Sequence, residues 1–558
     1  MTLDIPEGHL LYGFESRGNV IVPPHYQPKR FEGDTLLWLL PADPENGQAL
    51  KITCGHYQVN GKKITFIGDY TKQEYPARPA CDFFGRGIKL DIEHGEIFEQ
   101  AYARFYWDNL LPQIAERTMM RGKHDIRGGY VLSTLNKKAY AGTYPAVDHE
   151  FHMKGRFAVG GAAEAGLIRR MLELQLKIMR EDKTAQSKNV CAVQPNRNRE
   201  YNVWRRSRDR KCKAQMFRVT ANIEFVEGMY NYYCLTKDID FLRTHIDALE
   251  RNCAYIERFI RPDGLLDSHV YYEDQVMKDG PVAQAQCFAV HSFRLMSKLE
   301  KLLGREEQAS RYAEIAKKLG EAVRHFWDAE KGQYIDWIDA TGQGHDHIHL
   351  LANQLPAMLG LANEEQSKLC AETLKQHNDI WRKFPSFVAA KIEDYTESEI
   401  GTGGPYDLCA AGRYWCWDAK FLAWQGDGDA LLRQLTQVAG QAEIDNYLMG
   451  ERYDMNYVYY QDDKNWHGAS LYYEYPNVFL YVLVCLYLGV RRGFDCDLAV
   501  NPFIDEGRVT LENYGLSYEV KKESITLHNI GGRTLTIDLP RRGKRVMLAP
   551  GETHTSGL

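Results

Sequence analysis

From about residue 120 to residue 500, apolar side chains recur at i, i+3, i+4 and i+7 in one segment after another, the pattern of amphipathic helices. Helices are predicted at Ala162–Arg180, Ala221–Cys234, Asp240–Phe259, Val282–Leu303, Glu306–Trp327, Ile348–Leu361, Glu364–Gln376, Leu408–Ala423, Asp429–Ala439 and Asn477–Leu488, and two more near Ala101–Arg117 and Gln441–Glu451. Alternation replaces this period at both ends of the chain. Strand-like runs at Gly18–Pro23, Thr35–Leu40, Leu50–Val59, Lys63–Gly68 and Ile88–Ile92 are separated by turn dipeptides, and five more follow Asn501. The expected organisation is therefore mainly α. Residues 1–95 form an N-terminal β region, 96–500 a helical domain, and 501–558 a small β-sandwich-like domain. Helical hairpins in this number can close into a ring that buries both helix layers, leaving the loops at one end free to build a site. A solenoid would need a repeat of fixed period, and none is present.

Composition narrows the function classes. The 558 residues carry a net charge of −6, which gives no case for a nucleic-acid partner. No basic segment followed by an apolar run opens the chain, and the most apolar stretch, Val478–Val490, is too short for a membrane span. Twelve Cys without CxxC pairs read as reduced, buried thiols of a cytoplasmic protein. Aromatic residues make up 12% of the chain, a supply suited to sugar stacking and equally to helical cores.

The densest chemistry lies in Arg261–Gly304. A Pro262-Asp263-Gly264 turn opens a loop holding Asp267, Glu273, Asp274 and Asp279 beside Tyr271 and Tyr272, and the loop feeds a long helix. Adjacent aromatics can desolvate a carboxyl and raise its pKa until it holds a proton near neutrality, as a general acid must. Solvated loop acids or a helix cap would give the same local sequence.

Five segments in order resemble the six-hairpin (α/α)6-barrel glycosidases, the group of processing α-glucosidase I, trehalase, bacterial α-L-rhamnosidase and the disaccharide phosphorylases. They are DGLLDSHVYYEDQ, ASRYAEIAKKLGEAVRHFWDAEKGQYIDW, HDHIHLLANQLPAMLGLA, GTGGPYDLCAAGRYW and GERYDMNYVYYQDDKNWHGASLYYEYPNVFLYVL, spread over roughly residues 100–500. The trehalase-type glycine run and a literal glucosidase acid motif are absent.

The resemblance implies an exo-acting, inverting glycoside hydrolase of short oligosaccharides. Its two carboxyls would lie about 6.5–9.5 Å apart around a water. Asp274, then Glu273, is the expected acid; Glu451 in Gly-Glu-Arg-Tyr-Asp is the expected base, with Glu474 and then Asp462 and Asp463 behind it. Asp148, with Glu150 second, is the expected contact to sugar hydroxyls, although capping or ion pairing would suit either acid. Tyr272, Tyr406, Trp466 and His467 complete the expected substrate contacts. The same barrel serves disaccharide phosphorylases, sugar epimerases and lyases, and a non-catalytic sugar-binding protein would share its texture.

Gln194–Lys213 holds six Arg and two Lys against two acids. Such a run is usually a solvated face, but Trp204, Arg205 and Arg206 fall in a loop between barrel helices. Paired guanidiniums there would suit an acidic sugar. His345, His347 and His349 alternate without the Glu of an HExxH helix, and Cys409 and Cys416 are spaced for packing, so no metal is expected. No GK[ST] phosphate loop or GxGxxG follows a strand, so no cofactor is expected either.

Overall fold

A computed structural model of the chain describes residues 87–110, 113–115, 130–131, 149–193, 199–201, 203–381, 383–447, 449–453, 472–522 and 524–557, with the backbone of seven strands between residues 9 and 76. Its helices are α1 (Gly95–Phe105), α2 (His149–Val159), α3 (Gly161–Arg180), α4 (Thr220–Thr236), α5 (Ile239–Glu257), α6 (Ala283–Leu302), α7 (Glu306–Ala322), α8 (Leu350–Met358), α9 (Glu364–Gln376), α10 (Asn378–Trp381), α11 (Gly412–Gln425), α12 (Gly428–Ile444) and α13 (Glu474–Tyr481). Helices α2, α4, α6, α8, α11 and α13 each pack on the next, and α13 packs back on α2. The intervening α3, α5, α7, α9 and α12, with α1, lie against them from outside.

The two sets bury their residues differently. Every residue of α2 and α13 is buried, whereas α5, α7 and α9 bury one stripe and expose the rest. A helix enclosed on all sides shows no amphipathic period. This is why α2, which carries His149, Glu150, His152, Lys154 and Arg156 into the interior, went unpredicted. Helix α11 begins at Gly412 rather than Leu408, because Ala410 is held extended by bridges to Phe387 and Tyr453. Residues Gln441–Glu451 are not a separate helix: α12 runs on to Ile444, and Asn446 and Tyr447 then adopt positive φ of 52° and 60°. Near Ala101–Arg117 the helix starts earlier, at Gly95, and its α turns end at Phe105.

Among the N-terminal strands, His9–Glu15 and Arg30–Glu32 flank Thr35–Pro41, Ala49–Thr53 pairs with Lys72–Pro76, and His56–Asn60 pairs with Lys63–Ile67. The single run expected at Leu50–Val59 is thus two strands in different ladders, with Cys54-Gly55 between them. The run at Gly18–Pro23 lies outside the described residues. The tail folds as a five-stranded antiparallel sheet, Thr553–Gly557, Ser524–Asn529, Leu516–Lys521, Gly507–Leu511 and Ile88–Asp91, beside a four-stranded sheet that begins at Val490–Arg492. Ile88–Asp91 therefore completes a sheet built from the other end of the chain. The tail also finishes α2: Tyr514 Oη donates to the carbonyls of Phe157 and Ala158 at 3.2 and 2.9 Å, and Asn513 donates to Val159 at 3.1 Å. These are the end carbonyls that a helix cannot satisfy by itself.

Between α2 and the outer α3, Arg156 donates to Glu164 at 2.9 Å and to the Leu110 carbonyl at 2.7 Å, while Tyr106 Oη donates to the other Glu164 oxygen at 2.7 Å. Replacing Arg156 with Leu strands the Glu164 charge and should cost about 3–5 kcal/mol in urea unfolding. Adding Glu164→Leu should recover most of that loss. A single-variant cost under about 1 kcal/mol would contradict this reading of α2.

Candidate active site

The inner helices present their N-terminal ends to one group of loops, and Tyr271–Gln275 lies where those ends converge. Gly264, at φ 86°, turns the chain into this loop, with Asp263 accepting from the Leu265 amide at 3.1 Å. From the first turn of α4, Thr220 Oγ1 donates to the Tyr271 carbonyl at 3.1 Å. Arg413 in the first turn of α11 donates to the Tyr272 carbonyl at 3.0 Å. The Tyr272 hydroxyl donates to Glu150 on α2 at 2.9 Å and accepts from Trp417 Nε1 at 3.2 Å. Glu150 in turn is ion-paired with Lys154, which lies 3.3 Å from Glu227 and 4.4 Å from the Trp417 ring centre.

Glu273 is fully buried. Its two oxygens accept from Gln284 Nε2, both at 3.1 Å, from Lys278 Nζ at 3.1 Å and from His349 Nε2 at 3.1 Å. His349 caps α8 through Nδ1, which accepts from the Ala352 amide at 3.3 Å, so Nε2 carries the ring proton that it donates. Burial alone would raise the Glu273 carboxyl; Lys278 and the His349 bond outweigh it and hold the group well below the ordinary range. Glu273 is thus an anion at neutral pH, unsuited to donating a proton there. Lys278 is shared with Asp336 at 2.8 Å.

Asp274 differs. It is the one carboxylate of this cluster that is only partly buried; Glu273, Asp407, Glu451 and Glu474 are all enclosed. Its Oδ2 accepts from Tyr406 Oη at 3.1 Å, and no described donor reaches its buried Oδ1. Behind it Asp407 accepts from the Gln275 amide at 2.6 Å and from Arg452 Nε and Nη2 at 3.2 and 3.1 Å. Arg452 also reaches Glu451 at 2.6 Å and covers the Tyr406 ring at 4.6 Å. Arg413 joins Glu474 at 2.7 Å and approaches Glu451 at 3.7 Å. Burial and the adjoining Asp274 carboxyl push Asp407 up to about 8, against the pull of Arg452. Like charges repel strongly in a site of low effective dielectric, which is the direction in which Asp274 acts on Asp407.

Glycines let the next loop close over Gln275. The amides of Gly401 and Gly403 donate to its main-chain and side-chain carbonyls, both at 2.8 Å. A Cβ at Gly401 would sit 2.4 Å from Gln275 Oε1, and one at Gly403 2.6 Å away.

No family model matches the chain. Over 281 residues, 46% of the chain, it is 25% identical to the N,N'-diacetylchitobiose phosphorylase of Vibrio proteolyticus, a match spanning 35% of that protein. The GH78 family rhamnosidase of Bacillus sp. GL1 superposes with a TM-score of 0.56 at 14% identity, over 94% of this chain and 50% of that one. The alpha-L-rhamnosidase of Dictyoglumus thermophilum gives 0.54 at 12%, over 99% and 62%. The chain shares the fold of these two rhamnosidases. It spans less than two thirds of the length of each of these three proteins.

Within this fold, Asp274, Glu451, Glu474, Glu150, Tyr272 and Tyr406 fall in one connected network, and Glu273 precedes Asp274 in the same loop. Trp204, Arg205 and Arg206 stand at its rim: Thr402 in the glycine turn donates to the Arg206 carbonyl at 3.0 Å, and Ser207 bridges Gly401. Trp204 is 48% exposed under Lys213, and Arg205 lies 3.0 Å from the Met216 sulfur. Asp148, Trp466, His467, Asp462 and Asp463 lie outside the described residues. His345 and His347 both bond one oxygen of Glu399, at 2.7 and 3.0 Å, while His349 serves Glu273. Asp407, Arg413, Lys278 and Gln284 were not anticipated. Asp407 follows Tyr406 within GTGGPYDLCAAGRYW, and that motif was its only signal.

Because folded Glu273 sheds its proton more readily than the unfolded chain, its stabilisation is complete above the ordinary value of 4.5 and is lost as pH falls below it. Glu273→Gln should therefore lower stability by about 3–5 kcal/mol at pH 7, with the gap to wild type narrowing below about pH 4. Urea unfolding at both pH values checks this, and a gap independent of pH would contradict it.

Proposed function

We propose that the chain is an inverting glycoside hydrolase that removes sugar from the ends of short oligosaccharides. The cyclic packing of its helices is read as the (α/α)6 barrel of residues 96–500, with the β segments as accessory domains. The observation that carries the reading is Asp274: a carboxyl still open to solvent, set among buried carboxylates and held by one phenol. It would protonate the leaving glycosidic oxygen, while Glu451 takes a proton from the water that attacks the anomeric carbon. Glu474 is the second choice for the base. Trp204, Arg205 and Arg206 would meet the substrate at the rim, where an acidic sugar would find guanidinium groups. Ten described cysteines are free and nine of them buried, which supports a reducing, cytoplasmic setting.

The similarity to a phosphorylase supports a second reading on the same scaffold, in which phosphate replaces water. Against it, Arg413 and Arg452 at the heart of the site are already engaged by Glu474, Glu451 and Asp407. A phosphate would have to displace those carboxylates.

Proton NMR of the purified protein with neutral and uronate-containing disaccharides, with and without phosphate, separates these readings. The hydrolase reading predicts release of the inverted anomer without phosphate, and a fall of about 10³-fold in Asp274→Asn. Product only with phosphate would identify a phosphorylase. Solvent deuterium entering a carbon-bound position would indicate an epimerase or lyase. Arg205→Ala with Arg206→Ala should raise KM for uronate substrates and spare neutral ones; equal effects on both would remove the acidic-sugar element.

A further inference from the structure

A second cleft lies along the far half of α11, away from the Tyr271–Gln275 loop. Arg413 at the start of that helix reaches the Tyr272 carbonyl, and Trp417, Lys420 and Trp424 follow on one face at spacings of three and four residues. At about 1.5 Å of rise per residue, Lys420 and Trp424 stand roughly 10 and 16 Å further along the helix axis than Arg413. The cleft that they line has a volume of about 390 Å³, the size of a small-molecule site. His291 of α6 and Arg491 of the strand after α13 face it from the other sides. A larger cleft of about 610 Å³, between the start of α12 and the tail, sets Lys522, Arg541 and Arg542 against Asp427, Asp429 and Asp505 and so favours neither sign of charge.

The α11 cleft is cationic and aromatic, and no Asp or Glu among the described residues lines it. Lys420 Nζ lies 3.6 Å from the Trp417 ring centre and 3.4 Å from Glu227, which also pairs with Lys154 at 3.3 Å. Glu150 and Glu227 balance Lys154 and Lys420. His291 approaches Glu227 at 3.9 Å, but burial holds its ring down to about 4, so it adds no charge at neutral pH. Arg491 is the surplus cation: it is exposed, and no described carboxylate lies within ion-pair distance of it. Beside it Trp424 is 54% exposed, with one side of its ring stacked on Phe421 at 5.7 Å. We propose that this cleft is a second binding site, for a small organic oxyanion with a flat apolar body. The oxyanion would pair with the Arg491 guanidinium and face Lys420, while the body would lie against Trp424. The site is separate from the carboxylates of the Tyr271–Gln275 loop and does not rest on the role assigned to Asp274.

Fluorine NMR of the full chain with para-fluorobenzoate and para-fluorophenyl phosphate tests this. At least one of the two should broaden saturably as protein is added, and whichever binds more tightly tells carboxylate from phosphate. The neutral para-fluorobenzyl alcohol should bind more weakly than that anion. Arg491→Met and Trp424→Ala should each weaken the anion by about tenfold or more, since one removes its charge partner and the other the surface for its body. Both side chains are exposed, so urea unfolding of the two variants should match wild type. Asp274→Asn should bind the anion as wild type does. Saturable binding of neither anion, equal binding of the alcohol, or full affinity in either Arg491→Met or Trp424→Ala would overturn the proposal. Loss of binding in Asp274→Asn would move the anion to the Tyr271–Gln275 loop and overturn it as well.

Discussion

The burial of one carboxylate organises the mouth of this helical ring. Glu273 sits in the interior with no solvent contact, a placement that would cost several kcal/mol without partners. Its partners come from separate elements: Gln284 from α6, His349 from the cap of α8 and Lys278 from the same loop. Gln284 and His349 are positioned because a helix begins at each, and helix N-terminal ends favour negative charge. The loop cannot move away without stranding an anion and an ammonium together. Its neighbour Asp274 is therefore delivered to a set place, although only one described hydrogen bond holds its own side chain.

Two charged networks extend from that point. One runs through Tyr272 to Glu150 and Lys154 on α2 and Glu227 on α4. The other runs through Asp407, Arg452, Glu451, Arg413 and Glu474 beneath the remaining loops. Buried ion networks of this extent are weak contributors to net stability but hold geometry tightly. Among these carboxyls Asp274 alone is left only partly buried, with one phenol donating to it. The same loop that holds Glu273 as an anion brings Asp274 up to Asp407, whose carboxyl burial and Asp274 push up to about 8.

The outer helices were the most legible part of the sequence, since one face meets the core and the other meets water. The bounds Glu364–Gln376 were read as observed, and the start of Glu306–Ala322 was placed correctly. The inner helix His149–Val159 was invisible for the opposite reason: its charged residues are buried with their partners, so composition mimics a polar loop. In the site, Glu273, Asp274 and Glu451 stood out as acids beside aromatic residues or arginine. Their division of labour did not, because it is set by contacts far apart in sequence. Asp407 meets Gln275 across 132 residues, and His349 meets Glu273 across 76. Nothing within either segment distinguishes the saturated carboxylate from the one left open.

A crystal structure of Asp274→Asn bound to a disaccharide that the wild type cleaves tests the account most directly. The account predicts the glycosidic oxygen within about 3 Å of the side chain at position 274, with Glu451 on the opposite face of the anomeric carbon across one water. A disaccharide seated away from the Tyr271–Gln275 loop, or with its glycosidic oxygen against Glu273, would contradict it.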